Sequence, residues 1–240
     1  MTRTARVGAL SAVAVSLVLA LAGCVAPAPV STLPPDAASA PPTTTAPTAE
    51  PVDPLSTVTA IAAGSEGLVL TDTDGAVVAS YDYYAADAAS VAVALGTVFG
   101  TPAVVQESPG GQEVVPSTRH TWGPFTMIEQ RYVNGWDRSA LVPTRAPSFV
   151  VEITGAQTAG VMLATTDGRA VGEPWAEVRQ QPAFQVAGEC AHAFTDAREQ
   201  VVTWYDGSAK TERIVVDLIS DDDGSAVAML RVPVVETGCV

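Results

Sequence analysis

The chain has 240 residues and is 48% apolar, enough for one or two domains with cores of their own, which excludes a disordered protein or a disulfide-dependent miniprotein. Twelve Lys and Arg stand against 26 Asp and Glu, a net charge of −14, which argues against nucleic acid as a partner, because phosphate contacts need clustered cations. Charge and aromatics are both unevenly placed: no cation lies between Arg6 and Arg119, ten acids from Asp36 to Glu113 fall in that gap, and all 14 aromatic residues lie at or beyond Tyr81.

Residues 1–23 carry Arg3 and Arg6, then the apolar run Val7 to Ala20, of the length of a signal-peptide hydrophobic region and too short to span a bilayer comfortably. The run ends in Leu21-Ala22-Gly23-Cys24. These four residues resemble the lipobox of bacterial lipoproteins, in which small side chains let the peptidase draw in an extended backbone and the Cys thiol carries diacylglycerol. The resemblance implies cleavage before Cys24, acylation of that residue (palmitate among the chains) and anchoring at the extracytoplasmic face of the cell membrane. Each buried methylene contributes about 0.8 kcal/mol, so two or three chains suffice to hold the protein there. The mature chain then carries ten cations against 26 acids, a net charge of −16.

Residues 24–54 read as a lipidated cysteine followed by a disordered tether: Val25 to Pro54 holds nine of the 18 prolines and no aromatic. Nothing in it offsets the entropy of folding. At about 3.1 Å per residue in polyproline II, the tether reaches roughly 90 Å. Thr43-Thr44-Thr45 among prolines suits either an O-glycosylated stalk or an unmodified spacer. Because Val25 to Thr118 lacks any cation, the body is expected to be repelled by anionic lipid. That acidity suits a cationic partner or serves solubility.

In the body, Ser56 to Ile61 alternates like a strand, and Gly67 to Leu70 and Ala76 to Ala79 flank Asp74-Gly75, a hairpin signal. Residues 67–78, GLVLTDTDGAVV, align on residues 160–171, GVMLATTDGRAV, with six identities in twelve. A helix follows each phrase. Asp87 is positioned to cap Ala88 to Val98, with Val91, Leu95 and Val98 at helical spacing and Gly100 beyond; Pro174 opens a shorter helix through Trp175 to Val178. Strand-like runs come next: Ala103 to Glu107, His120 to Gly123 and Phe125 to Tyr132, then Gln200 to Tyr205, Arg213 to Ile219 and Ala226 to Val232. The expected fold is therefore α+β, as two tandem units over 55–147 and 148–240, each a meandering antiparallel sheet with one short helix. Thr166-Asp167-Gly168 through Gly172 before a helix resembles the unit start of tandem β-lactamase-inhibitor proteins and small outer-membrane-assembly lipoproteins. Those families place two helices before the sheet, whereas here a hairpin precedes one, so no functional residue is carried over.

Cys190 and Cys239 remain after Cys24, and an even pair in an exported chain most simply forms a disulfide, closing a loop of about 50 residues. A reactive Cys190 near His192 is the functional alternative. His120 and His192, the two histidines, fit no zinc spacing, and no nucleophile elbow, phosphate loop or dinucleotide fingerprint occurs. Asp72-Thr-Asp74-Gly75 and Asp221-Asp222-Asp223-Gly224 place Gly too early for a calcium loop and read as turns. No catalytic or metal residue and no cofactor is therefore expected. Four aromatics are candidates for binding: Tyr81 and Tyr83, which alternate along one strand face, Trp122 and Trp136. They serve equally well as core. The leading expectation is a membrane-anchored, non-enzymatic binding module whose partner is another envelope protein or a wall polymer; the alternatives are an envelope hydrolase using carboxylates and a small-solute receptor.

Overall fold

A computed structural model describes residues 52–180, 185–186 and 192–236. Leu21, Ala22, Gly23, Cys24, Cys190 and Cys239 lie outside the described residues. The described body is mostly β-sheet, with few helices.

The first half follows the predicted order. After a 3-10 turn come β1 (Ala60–Ala63), β2 (Gly67–Thr71), β3 (Val77–Asp82), α1 (Ala88–Val98), β4 (Val104–Ser108), β5 (Ser117–Trp122) and β6 (Phe125–Gln130). The 3-10 turn Pro54–Thr57 takes Ser56 and Thr57 from the strand expected over Ser56 to Ile61, and β1 begins at Ala60. Its cause is local: the Asp53 side chain accepts the Leu55 N–H, and Pro54 supplies a preset φ at the first position. α1 begins where Asp87 Oδ2 accepts the Ser90 N–H at 3.0 Å and ends before Gly100, at φ +65°.

In the second half, β7 (Phe149–Ile153), β8 (Gln157–Thr158), β9 (Val161–Thr165), α2 (Trp175–Val178), β10 (Gln185–Val186), β11 (His192–Thr203), β12 (Ala209–Ser220) and β13 (Val227–Val235) follow. The Asp167-Gly168 turn forms, with Gly168 at φ +86°, but the residues after it make no strand and lead to α2.

Two tandem units with separate sheets are corrected by the pairing. One sheet runs β3-β2-β1-β9-β8 and the other β10-β11-β12-β13-β7-β6-β5-β4. First-half strands keep to one side of each sheet and second-half strands to the other, and the sheets are continuous across the join. In the small sheet the join is the parallel pair Ile61 with Leu163; in the large sheet it is β6 with β7, Met127 facing Val151. The reason is coverage. α2 has four residues, too little helix to cover a sheet face, so apolar faces from both halves are buried together. One cluster contains Ile61, Leu68 and Leu163 of the small sheet, Val91 and Leu95 of α1, and Phe125, Met127, Val151, Val216 and Leu230 of the large sheet.

A polar contact fastens the sheets to each other at one end. The register of β11 on β12 shifts between Thr195 and Arg198, and Asp196 sits there at φ +44°. Its carboxylate accepts the Ser65 N–H at 2.8 Å and the Thr166 hydroxyl at 2.7 Å, tying the β1–β2 turn and the turn after β9 to β11. Gly64 is required there, because a Cβ would lie 2.6 Å from Asp196 Oδ2.

Candidate functional site

Two concave surfaces have the chemistry to bind something. The first is an apolar groove of about 500 Å³ between α1 and the β4–β5 edge. α1 buries Val91, Leu95 and Val98, yet Ala89, Ala92, Val93 and Gly96 repeat at helical spacing on another face and line the groove. A helix apolar on two faces needs cover on both. The opposite wall is Val105 of β4 with His120 and Trp122 of β5. Val93 is 74% exposed and Val105 56%.

The wall is held rigidly. Trp122 is nearly buried, donates its Nε1–H to Thr101 O at 3.0 Å and tilts against Phe99 at 5.3 Å between centroids. His120 stacks on Trp122 at 6.3 Å, and its Nε2 lies 3.1 Å from Glu129 Oε2. β4 is the last strand of its sheet, pairing Val104 with Thr121 and Val105 with His120. Its other edge offers backbone N–H and C=O groups to a further strand. Both α1 and β4 come from the cation-free stretch, and the charged residue lining the groove is Glu129.

The second surface is a cleft of about 460 Å³ lined by residues from both halves: Asp82 at the end of β3 with Tyr84 and Ala85 after it, the segment from Arg138 to Ala146, and Arg198 and Gln200 of β11. Arg138 is fixed by its own backbone contacts, donating Nε–H to Ala146 O at 3.0 Å and Nη2–H to Tyr84 O at 2.6 Å. Arg198 lies over the Tyr84 ring, 5.4 Å from Cζ to centroid. Burial pushes the Tyr84 hydroxyl up to about 12, although Arg198 pulls it the other way, and that hydroxyl donates to Thr144 O at 2.9 Å. Tyr84 is therefore a neutral phenol.

The four candidate aromatics do not converge. Trp122 alone lines the groove. Tyr81, on β3, is half-buried and lines a smaller hollow with Glu66, Leu68 and Ser80. Tyr83 is corrected to core: it is fully buried, edge-on to Phe149 at 5.2 Å, and unavailable to a ligand. Trp136 is half-buried in the connection after β6. The shared strand face expected for Tyr81 and Tyr83 fails because β3 ends at Asp82, whose carboxylate accepts the Tyr84 and Ala85 N–H groups and turns the chain inward.

The acidic turns use their carboxylates locally. Asp72 Oδ1 accepts the Asp74 and Ala76 N–H groups, and Asp221 Oδ1 accepts those of Ser225 and Ala226. Sequence reasoning missed Arg138 and Arg198. Their signal was scarcity, since ten cations serve all of the chain beyond residue 23. Among the described residues no helix is long and apolar enough to cross a membrane. Comparison of the chain with protein-family models, with curated proteins and with solved structures finds no match.

Proposed function

We propose that the protein is a lipid-anchored lipoprotein of the cell envelope, held by Cys24 and a tether through residue 54, that binds a partner protein without catalysing a reaction. The groove between α1 and β4 carries this reading. Exposed Val93 and Val105, the Trp122 wall and the open edge of β4 suit an extended segment that adds as a strand and lays apolar side chains into the groove. The walls bring no Lys or Arg, so the favoured segment alternates apolar and cationic residues. This is the cationic envelope protein that the acidic first half suits, in preference to a wall polymer.

Two experiments test the reading separately. For the anchor, the full chain and Cys24→Ser are expressed and fractionated; wild type is expected with the membrane and the variant in the released fraction. Equal processing and membrane retention of both overturns the anchor. For the groove, binding of a fluorescent alternating Val-Lys peptide is followed by polarisation. Val105→Asp is expected to weaken it by about tenfold or more, whereas Met162→Asp, an exposed position on β9 away from the groove, leaves it unchanged. Equal binding by wild type and Val105→Asp, or no binding by wild type, overturns the groove as the partner site.

A further inference from the structure

We infer that the cleft between the two halves is a binding site for a small organic anion, a carboxylate or phosphate head on a short apolar body, recognised by Arg138 and Arg198. The inference stands apart from the groove and its peptide.

The first ground is the pairing of cations across the body. Arg119, Arg131, Arg145, Arg169, Arg213 and Arg231 each lie within 4.0 Å of a carboxylate oxygen. In a chain with 26 acids such pairing is what proximity alone delivers. Arg138 and Arg198 form no ion pair among the described residues, and both line the same cleft. Guanidinium groups are the side chains suited to planar, two-pronged recognition of a carboxylate or phosphate.

The second ground is unsatisfied capacity. The Nε of Arg198 is buried and has no hydrogen-bond partner, so the protein alone does not satisfy this guanidinium, which costs free energy. Arg138 spends Nε and Nη2 on Ala146 O and Tyr84 O and lies 5.4 Å above the Tyr132 ring. Its Nη1 is left over, while the group as a whole is already oriented. Such prior ordering lowers the entropic cost of binding.

The third ground is the rest of the lining. Asp82 is the opposing charge, and its Oδ1 is engaged by two backbone N–H groups. Two guanidiniums against one carboxylate leave the cleft positive in an acidic molecule. Tyr84 stays neutral, so it cancels none of that charge. Ser139 and Gln200 add hydrogen-bonding groups, while Leu141 and Pro143 provide an apolar wall for the ligand's body. Arg138, Leu141 and Pro143 come from one segment, and Arg198 from β11 faces it across the cleft.

The test follows backbone amide shifts of Tyr84, Ala85, Ser139 and Gln200 by NMR while the mature chain is titrated with hexanoate, with inorganic phosphate, and with chloride at matched ionic strength. Saturable shifts at these amides are expected with hexanoate, phosphate or both, and none with chloride. Hexanoate alone assigns a carboxylate head, phosphate alone a phosphate head, and either supports the site. Arg198→Gln is expected to weaken binding about tenfold and Arg198→Lys by less, since charge is kept and the fork is lost. Arg179→Gln, outside the cleft, should bind as wild type. Because Arg138 also ties two backbone carbonyls, Arg138→Gln is informative only if its thermal unfolding matches wild type, and Arg198→Gln decides. Absence of saturable shifts with both anions, shifts matched by chloride, or unchanged affinity in Arg198→Gln overturns the inference.

Discussion

The groove beside α1 and the cleft beside Arg138 are built from the same body under opposite electrostatic rules. The groove draws its helix and its edge strand from the part of the chain that has no cation, and its binding groups are apolar side chains and a bare strand edge. The cleft takes Arg198 from the second half and Arg138 from the connecting segment, and it is positive within an acidic chain. Net charge therefore says what the average surface repels, while the sites depend on where the few cations are placed and which of them acids have already neutralised. A partner drawn to one surface has little reason to visit the other.

The contrast is broken most sharply by a pair of substitutions read against both ligands. Val93→Asp on α1 should abolish measurable binding of the alternating Val-Lys peptide, a loss of at least about tenfold, and leave hexanoate and phosphate titrations untouched. Arg198→Gln should do the reverse. If either substitution weakens both ligands equally, the surfaces are coupled and the comparison fails.

A smaller effect is expected from Asp196→Ala. Removing the acceptor for the Ser65 N–H and the Thr166 hydroxyl should cost about 2 kcal/mol of stability, read as a lower urea midpoint. Because Asp196 shapes the irregularity in β11 just before Arg198, anion affinity should drop while peptide affinity holds.

Alkali separates the sites in another way. Burial raises the Tyr84 hydroxyl from 10.0 to about 12. The folded value lies above the unfolded one, so the stability linked to the neutral phenol is complete below pH 10 and is lost as pH rises through about 12. A phenolate at Tyr84 would also place negative charge beside Arg198. Tyr84→Phe should flatten the alkaline fall in stability, measured by circular dichroism.

The smallest effect belongs to a turn remote from both surfaces. The Ser225 hydroxyl first, then the Ala226 N–H, hold Asp221 down to about 2. Its folded value is depressed, so its stabilisation is present above the ordinary 3.8 and fades as pH falls through about 2. Asp221→Asn should lower stability slightly at neutral pH and flatten its fall in acid, read as urea midpoints across an acid titration, and change neither ligand.

Local chemistry made much of this fold legible. Asp87 as cap, Gly100 as stop, the two Asp-Gly turns and six of the longer strands follow from propensity and turn residues. The repeat was informative for a mixed reason. Gly75 and Gly168 share a cause, both standing at positive φ in a turn, at +78° and +86°. Gly67 and Gly160 do not: a Cβ at Gly67 would meet Tyr81 O at 2.3 Å, while Gly160 faces open space at φ +81°. Identity between the phrases thus overstated their structural likeness and led to two separate sheets. Which strand lies beside which is settled by burial at long range, as in the pairing of Ala60 with Met162, and no local pattern carries it. In the same way Trp122 could be singled out by type, but Arg138 and Arg198 gain significance from the acids that are not beside them.

The seating of β1 between β2 and β9, and of β7 between β6 and β13, bears on how the chain reaches its native state. β1 must wait for a strand some hundred residues downstream before its second edge is covered, and β7 waits for β13, near the end of the described chain. Long-range closures of this kind slow folding. Until β9 and β7 arrive, the nascent first half presents open β edges at β1 and β6, β13 in turn closes β7, and cleavage near residue 147 would leave neither fragment with a finished sheet.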